Sequence, residues 1–298
     1  MSKHIFWISS YPKSGNTLIR AILTGLLFSD NGIVDFKNMR NISLFETARR
    51  LNFIKKINKE DFYNLGDLKV LSKYWQQIQV SQELKEIANQ KGYGFLKTHS
   101  CLVSLNKNFF TNENLTKGYI YVVRDPRDLS ISWANHSNYS IDKSIDFLCN
   151  PLSVVRWINK SQFSELPKDI VPMQFLSSWS EHVKSWTENN LQVPKLIIKY
   201  EDLIMNKKGI IGQIKIFFKD NYNIEIRNFD QKLQNILKTT NFTFMRDNEN
   251  KHGFEEAMPG VKFFRKGKKE EWKTVLNKNQ ISKIEDNFKT YMRKFNYL

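Results

Sequence analysis

Residues 5–27, IFWISSYPKSGNTLIRAILTGLL, decide the fold because they read as a strand, a short polar loop and a helix in direct succession. A loop that enters a helix leaves several backbone N–H groups unpaired at the positive end of the helix dipole, which favours a bound anion. Lys13 adds a mobile positive charge, and Gly15 allows the backbone to come close to a ligand. The hydroxyls of Ser14 and Thr17 add further donors. The stretch therefore predicts a loop that cradles phosphate or sulfate.

The loop by itself leaves a second interpretation open. Gly, Ser and Asn are common in turns, so an ordinary strand-to-helix turn explains the same composition. The loop of nucleoside triphosphatases is a poorer match, because it needs GxxxxGK followed by Ser or Thr. Here Lys13 precedes the single glycine of the loop, Gly15. A site for a Mg²⁺-bound nucleoside triphosphate is therefore not expected.

Length and composition favour a single domain spanning residues 1–298. No stretch rich in Pro, Gly or Ser separates two halves, and a hydrophobic content of 41% suffices for a sizeable core. No apolar run approaches the roughly 20 residues that a membrane span requires. The first strand pattern begins near His4 and leaves no room for a signal peptide, so a cytoplasmic location is expected.

Charge and metal-ligand composition narrow the ligand class further. The chain has 46 Lys and Arg against 30 Asp and Glu, a formal charge of +16 that attracts anionic ligands. Much of this surplus is explained by solvated helical faces. Cys101 and Cys149 lack CxxC spacing, and the five His residues form no HxxxH pair, so no metal site is predicted.

Short apolar runs at residues 4–9, 93–98, 118–123 and 195–200 predict strands, most of them followed by helical patterns. This alternation predicts an α/β fold with a central, mostly parallel sheet flanked by helices. Residues 29–90 read as mainly helical, with amphipathic segments near 44–56 and 82–90. Residues 140–180, which contain three prolines, are expected to form a loop and short helices. In such sheets ligands bind at the carboxyl ends of the strands.

The strand at 118–123 runs into the sequence RDPRD at 124–128 and then into a helical pattern. Asp125 suits the helix cap, Pro126 the first helical position and Asp128 the first turn, so capping explains these three residues without any function. Capping leaves Arg124 unexplained. A guanidinium at the carboxyl end of a strand is well suited to grip phosphate, and Ser132, two turns into the helix, is in reach of the same anion.

The strand at 93–98 ends in Lys97-Thr98-His99. Because side chains alternate along a strand, Lys97 and His99 are predicted to point to the same side at the ligand edge. A lone histidine is most often structural. Beside a lysine at a strand end, however, His99 is a candidate general base, since an imidazole of ordinary pKa accepts protons near neutral pH.

Together these motifs resemble the sulfotransferases that use 3′-phosphoadenosine 5′-phosphosulfate (PAPS), in particular the soluble cytosolic type with its P-loop-like architecture. The resemblance spans positions 7 to 273 and rests on several segments in the family's order. These are YPKSGNT at 11–17, KTH at 97–99, RDPRD at 124–128 with Ser132, SWSEHVKSW at 178–186, YED at 200–202, TNF at 240–242, and FRKG at 264–267 with WK at 272–273.

The resemblance implies a PAPS site and an in-line sulfuryl transfer that leaves 3′-phosphoadenosine 5′-phosphate (PAP). His99 would accept the proton of the acceptor, Lys13 and Lys97 would neutralise developing charge, and Ser132 would steer Lys13. No metal is needed. The residues implied in donor binding are Lys13, Ser14, Gly15, Asn16 and Thr17 at the 5′-phosphosulfate, Arg124, Ser132, Arg265, Lys266 and Gly267 at the 3′-phosphate, and Tyr200, Thr240 and Phe242 around adenine.

The chain departs from the family pattern at two positions of the implied donor site. Leu18 stands where many relatives have a tryptophan that stacks on adenine. Glu270 occupies the second glycine of the Gly-x-x-Gly-x-Trp-Lys segment, where a carboxylate repels phosphate unless it faces solvent or pairs with Lys268 or Lys269. The family's short dimer motif is not recognisable after Lys273, so the oligomeric state stays open.

The acceptor is expected to be a small molecule with a hydroxyl or amine, such as a phenol, a lipid-like alcohol or a sugar. Aromatic residues in the connecting segments are candidates for its pocket, namely Trp75, Phe147, Trp157 and Phe163, and Trp133, Asn135 and His136 lie close to Ser132. Two alternative functions remain. A P-loop kinase would need an acidic strand end for Mg²⁺, and a nucleic-acid or anion-binding protein would interleave basic and aromatic residues along one element.

Overall fold

The computed structural model of the protein describes residues 4–51, 57–81, 84, 93–156, 173–257 and 260–298. In these residues the strands are β1 (Ile5–Ser10), β2 (Ser43–Leu44), β3 (Gly94–Thr98), β4 (Ser104–Leu105), β5 (Asn108–Phe109), β6 (Thr116–Val123), β7 (Val154–Arg156), β8 (Met173–Phe175) and β9 (Lys195–Lys199). Five of them form one parallel sheet in the order β2-β3-β1-β6-β9.

Helices flank this sheet, as the sequence predicted. They are α1 (Asn16–Leu27), α2 (Ala48–Leu51), α3 (Lys59–Tyr63), α4 (Leu68–Ser72), α5 (Trp75–Gln79), α6 (Pro126–Ser137), α7 (Ile141–Cys149), α8 (Trp179–Thr187), α9 (Tyr200–Met205), α10 (Lys207–Tyr222), α11 (Phe229–Thr239), α12 (Phe242–His252), α13 (Trp272–Val275) and α14 (Lys278–Lys294), with a 3-10 helix at Asn38–Asn41. No helix among the described residues is long and apolar enough to cross a membrane.

The central strands are buried on both faces, which explains why their sequences read as continuous apolar runs. All six residues of β1 are buried, and Trp7 pairs in register with Leu96 of β3. The four predicted strands are confirmed within one or two residues at each end. Tyr200, predicted as the last residue of a strand, instead begins α9.

The sequence interpretation missed three strand pairings among the described residues, one of them the antiparallel pair β4 and β5. Ser43 and Leu44, at and beside the start of the predicted helix 44–56, extend β3 as β2, and the helix begins only at Ala48. Such a short strand is specified by its partner rather than by its own pattern. Within residues 140–180, α7 is followed by the antiparallel pair β7 and β8 rather than by loops and short helices alone. The predicted segment 82–90 lies outside the described residues apart from position 84.

The chain divides into two compact units. The first comprises Met1–Tyr11, Ser43–Tyr121 and Asn150–Lys195, and the second Pro12–Ile42, Val122–Cys149 and Leu196–Leu298. The prediction of a single domain over residues 1–298 stays a prediction.

An aromatic core fills the first unit. The ring of Phe110 packs at 5.2 Å from Trp7 and at 5.4 Å from Trp75, and all three side chains are fully buried. Trp75 therefore packs in the core of this unit.

Candidate active site

The loop between β1 and α1 has an unusual backbone. Lys13 and Gly15 adopt left-handed conformations, with φ of 67° and 103°. Gly15 is the N-cap of α1, and no side chain caps this helix within the described residues. Asn16 and Thr17 form its first turn and are buried. The amides at this helix start are thus not capped by a side chain, which is the arrangement expected of an anion-binding loop.

Glycine at position 15 is explained by its neighbour. A Cβ at this position would lie 2.6 Å from Cδ2 of Tyr200, closer than side-chain contacts allow. The guanidinium of Arg124 lies over the same aromatic ring, with Cζ 4.3 Å from the centre of the Tyr200 ring. Arg124 also donates from Nη1 to the carbonyl oxygen of Lys13 at 2.9 Å. Three segments predicted to bind the donor are therefore held together directly.

Ser14 provides an observation that bears on the ligand. Its side chain is fully buried, and among the described residues its Oγ has no hydrogen-bond partner. Leaving a buried hydroxyl unsatisfied costs about 1–3 kcal/mol. An oxyanion held by the loop would accept this hydrogen bond, so the loop fits the 5′ end of a phosphosulfate donor.

Two other loop residues already have partners in the second unit. The ammonium of Lys13 lies 3.6 Å from the centre of the Phe263 ring, a close cation–π contact. The hydroxyl of Thr17 donates to Glu256 at 3.3 Å, and the same carboxylate pairs with the buried Arg20. Sequence reasoning identified neither Phe263 nor Glu256, which lie about 240 positions from the loop in the chain.

Two of the cations predicted to bind the 3′-phosphate donate hydrogen bonds to the same carboxylate, that of Glu271. Arg265 presents both of its terminal nitrogens to the two oxygens of Glu271, one of them at 3.0 Å, and Lys266 donates to the same group at 2.7 Å. Partial burial raises the pKa of Glu271, but the hydrogen bonds from these two cations outweigh it and the net pKa is lowered. Glu271 thus offsets the repulsion between two neighbouring positive charges.

Two further carboxylates hold the backbone on either side of these cations. Glu249 of α12, 5% exposed, accepts from the amides of Phe263 and Phe264 at 2.6 and 3.0 Å. Asp128 of α6 accepts from the amides of Glu270 and Trp272 at 2.6 and 2.9 Å. Burial raises the pKa of Asp128, and these amide bonds oppose the shift. The basic segment is therefore a fixed loop rather than a solvated one.

The helix cap predicted at the start of α6 is confirmed. Asp125 caps the helix by accepting from the amide of Arg127, and Pro126 occupies the first turn. Asp128, expected only to favour the helix dipole, also anchors the distant loop described above. Ser132 is half-buried further along the same helix.

Gly267 and Glu270 are the two left-handed positions of the basic loop, each with φ of 61°. A Cβ at position 267 would overlap the ring of Phe242, so these two predicted donor residues are in contact. Glu270 adopts the conformation that favours the family's glycine. Its carboxylate pairs with Lys273 at 2.7 Å and is half-exposed, rather than pairing with Lys268 or Lys269 as considered from the sequence.

Thr240, predicted beside adenine, directs its hydroxyl back to its own helix, where it donates to the carbonyl of Ile236 at 2.6 Å. Its carbonyl oxygen accepts from Lys207 at 2.7 Å. Burial lowers the pKa of Lys207 to about 8.

The residues suggested as acceptor contacts have mixed surroundings. Trp133 is buried and stacks on Phe147 with ring centres 5.0 Å apart, whereas Asn135 is exposed. His136 is buried and packs edge-on against Phe263 at 6.1 Å. Trp157 and Phe163 lie outside the described residues.

His99 lies in the first unit with a defined hydrogen bond. It is 4% exposed, and its Nδ1 lies 2.6 Å from the carbonyl oxygen of Ser10. A carbonyl only accepts, so Nδ1 carries the hydrogen and Nε2 is the basic nitrogen of the neutral ring. Lys97, 6% exposed, precedes it on β3 and pairs in register with Ile8. Both predicted residues are therefore buried at or next to the end of β3.

A second histidine supports the backbone of the first. His182 of α8 donates from Nε2 to the carbonyl oxygen of His99 at 3.0 Å, and its Nδ1 accepts from the hydroxyl of Tyr121 at 2.9 Å. Burial lowers the pKa of His182 to about 4, although the bond to His99 opposes the shift. His182 is thus a neutral structural residue at physiological pH.

The lowered pKa of His182 predicts that the stability of the protein depends on pH. Its folded pKa lies below the ordinary 6.5, so the unfolded state binds more protons between pH 6.5 and 4. The contribution of neutral His182 to the free energy of unfolding is complete above pH 6.5. It is lost as the pH falls, by about 3 kcal/mol at pH 4. Urea unfolding between pH 7.5 and 4.5 is expected to show a flatter decline for His182→Gln than for the wild type. The exposed His252→Gln is the control, and equal slopes for His182→Gln and wild type would contradict the assignment.

The described residues contain no cluster of three or more His, Cys, Asp or Glu suited to a metal ion. Independence from metal stays a prediction. The predicted donor residues lie together in the second unit, whereas Lys97 and His99 belong to the first.

Comparison with known proteins gives a consistent family. The sulfotransferase domain family matches residues 3–296. Dog sulfotransferase 1B1 is 25% identical over 290 residues, which cover 96% of this chain and 82% of that protein. Mouse sulfotransferase 2A1 is 25% identical over 217 residues, or 70% of this chain and 67% of that protein.

Solved structures show the same fold. Retinol dehydratase in complex with androsterone and the inactive cofactor PAP aligns with a TM-score of 0.55 and 20% identity, covering 98% of this chain and 81% of that chain. Mouse sulfotransferase SULT7A1 complexed with PAP aligns with a TM-score of 0.55 and 17% identity, covering 98% and 84%.

Proposed function

The chain belongs to the sulfotransferase family, and on that premise we propose that it moves the sulfuryl group of PAPS to a hydroxyl or amine of a small-molecule acceptor. The observation that carries the proposal is the loop at Lys13–Thr17. Its helix start lacks a side-chain cap, its buried Ser14 hydroxyl has no partner among the described residues, and Arg124 is bonded to its backbone.

In this proposal the two anionic ends of PAPS bind to separate groups of the second unit. The loop residues Lys13, Ser14, Gly15, Asn16 and Thr17 would hold the phosphosulfate, and Arg124, Ser132, Arg265, Lys266 and Gly267 would hold the 3′-phosphate. Tyr200, Thr240 and Phe242 would surround adenine. Two cationic groups on separate segments suit a ligand with charge at both ends better than one diffuse basic surface does.

When bound, PAPS supplies an activated sulfuryl group. The role proposed for His99 is that Nε2 accepts the proton of the attacking hydroxyl or amine, while Nδ1–H stays bonded to Ser10. Lys13 and Lys97 would stabilise negative charge on the transferring group and on the leaving oxygen, and Ser132 would steer Lys13. The charge is supplied by side chains, so the proposal requires no metal ion.

The ligands of two solved structures indicate which acceptors to test first. Retinol dehydratase is described in complexes with androsterone and with retinol, both bound together with PAP. Small apolar alcohols are therefore the first acceptors to test, followed by phenols, sugars and amines.

The proposal is tested by thermal unfolding in EDTA with PAP, with ADP, and separately with Mg²⁺-ATP. A ligand that binds only the folded state at 100 times its Kd stabilises it by about 2.7 kcal/mol. We expect a large shift with PAP alone, lost in Arg124→Gln and retained in the control Arg227→Gln, which alters an exposed arginine of the same unit. A preference for Mg²⁺-ATP would contradict the proposal and favour a kinase.

A further inference from the structure

Glu46, two residues after β2, is a buried carboxylate to which the sequence assigned no role. It is 8% exposed and bonds to three neutral side chains. Thr98 and Ser100 donate their hydroxyls to Oε1 at 2.7 and 2.5 Å, and Gln174 donates its amide to Oε2 at 2.7 Å. Thr98 and Ser100 are the two neighbours of His99 in the chain.

A fourth bond joins the two hydroxyl donors. The amide of Ser100 donates to Oγ1 of Thr98 at 2.9 Å, and the Thr98 hydroxyl donates its own hydrogen to Glu46. Glu46 thus accepts from all three side chains. Burial raises its pKa, and the hydrogen bonds from Ser100, Thr98 and Gln174 oppose the shift.

The bonds constrain the backbone on both sides of the histidine. Glu46 holds residues 98 and 100, while Ser10 and His182 hold the ring and the carbonyl of His99 itself. A side chain held at both neighbours, at its ring and at its carbonyl has little freedom to rotate. Catalytic groups need such restraint, because a displacement of about 1 Å costs on the order of 100-fold in rate.

We propose that Glu46 is a positioning residue for His99: by gripping Thr98 and Ser100 it keeps Nδ1–H on Ser10 and Nε2 as the proton acceptor. This inference rests on the proposed sulfuryl transfer and adds a residue to it. Glu46 itself exchanges no proton with the acceptor.

Two substitutions of Glu46 test this role, because only one of them keeps an oxygen that can accept from Thr98 and Ser100. Glu46→Leu removes every acceptor and is expected to lower kcat about 100-fold, with the Kd for PAP within about three-fold of wild type. Glu46→Gln keeps an oxygen for both hydroxyls, and Gln174 can turn its own amide to present oxygen to the new N–H. That variant is expected to stay within about five-fold of wild type in kcat.

The matched control is Gln79→Leu. Gln79 is fully buried in the same unit and bonds to Phe110 and Thr111 rather than to the His99 segment. It should lose stability without losing turnover per folded molecule. If Glu46→Leu does not fold, Thr98→Val removes a single hydroxyl of the network and is expected to lower kcat about ten-fold.

Imidazole ¹⁵N NMR separates this inference from the function on which it rests. In wild type His99 should show one tautomer with hydrogen on Nδ1, and in Glu46→Leu the two tautomers should average. A wild type without PAPS-dependent turnover or PAP binding would overturn the proposed function, while the NMR comparison would still decide the role of Glu46. Wild-type kcat and an unchanged tautomer in Glu46→Leu would overturn the positioning role.

Discussion

Replacing His99 with alanine is expected to lower kcat for sulfuryl transfer by about 1,000-fold and to leave the Kd for PAP within about three-fold. The ring is buried and its Nδ1 is committed to Ser10, which leaves Nε2 as the base. The residues proposed to hold PAP belong to other segments of the chain, so binding should survive the substitution. Single-turnover rates at saturating PAPS measure the chemical step, and PAP titrations measure binding.

The control for this substitution is His252→Ala, which removes an exposed histidine and should change neither quantity. A parallel loss of PAP affinity and melting temperature in His99→Ala would indicate a structural role only. Near-wild-type turnover would remove His99 from the mechanism and direct attention to Lys97, the other buried ionisable residue of this segment.

The elements that the sequence predicted well are those encoded by neighbouring residues. The run at residues 5–8 is apolar because both faces of β1 are covered, and the Asp125-Pro126 cap is a local bonding pattern. The loop at Lys13–Thr17 is predicted on the same local grounds, and anion binding by it stays a prediction. β2 could not be predicted, because two residues carry no periodicity and pair only through β3.

The carboxylates that organise the candidate site could not be predicted either. Glu249 holds amides about 15 positions away, Asp128 holds amides about 140 positions away, and Glu46 bonds to residues more than 50 positions away. Sequence spacing carries no signal for such contacts, because they depend on how distant segments pack. The sequence motifs predict the cations of the candidate site, whereas the carboxylates that bond to their loops are seen only in the folded structure.

Glu271 illustrates why an acidic residue suits a segment that is proposed to bind an anion. Arg265 and Lys266 repel each other, and their bonds to Glu271 offset that repulsion before any ligand binds. Glu249 and Asp128 act differently, since they bond to backbone amides rather than to cations. The positive groups are thus ordered in advance, which reduces the entropy that ligand binding must overcome.

Replacing Gly15 with alanine is expected to be the most damaging single-methyl change in the donor loop. The added Cβ meets two penalties, a φ of 103° that side chains rarely adopt and a 2.6 Å approach to the Tyr200 ring. We expect a loss of about 2 kcal/mol in unfolding free energy. Because Arg124 lies on the same ring, we also expect about 100-fold weaker PAP binding.

Two other glycines separate these causes. Gly253 has a φ of 72° with open space around it, so Gly253→Ala bears the backbone strain without a clash. Gly212 lies inside α10 with open space, and Gly212→Ala should stabilise the protein by up to about 1 kcal/mol. Urea unfolding and PAP titration of the three variants test the contact itself. If Gly15→Ala and Gly253→Ala show the same loss of unfolding free energy and the same Kd for PAP, backbone strain alone explains the loss of stability. The close approach of Gly15 to Tyr200 then has no part in donor binding.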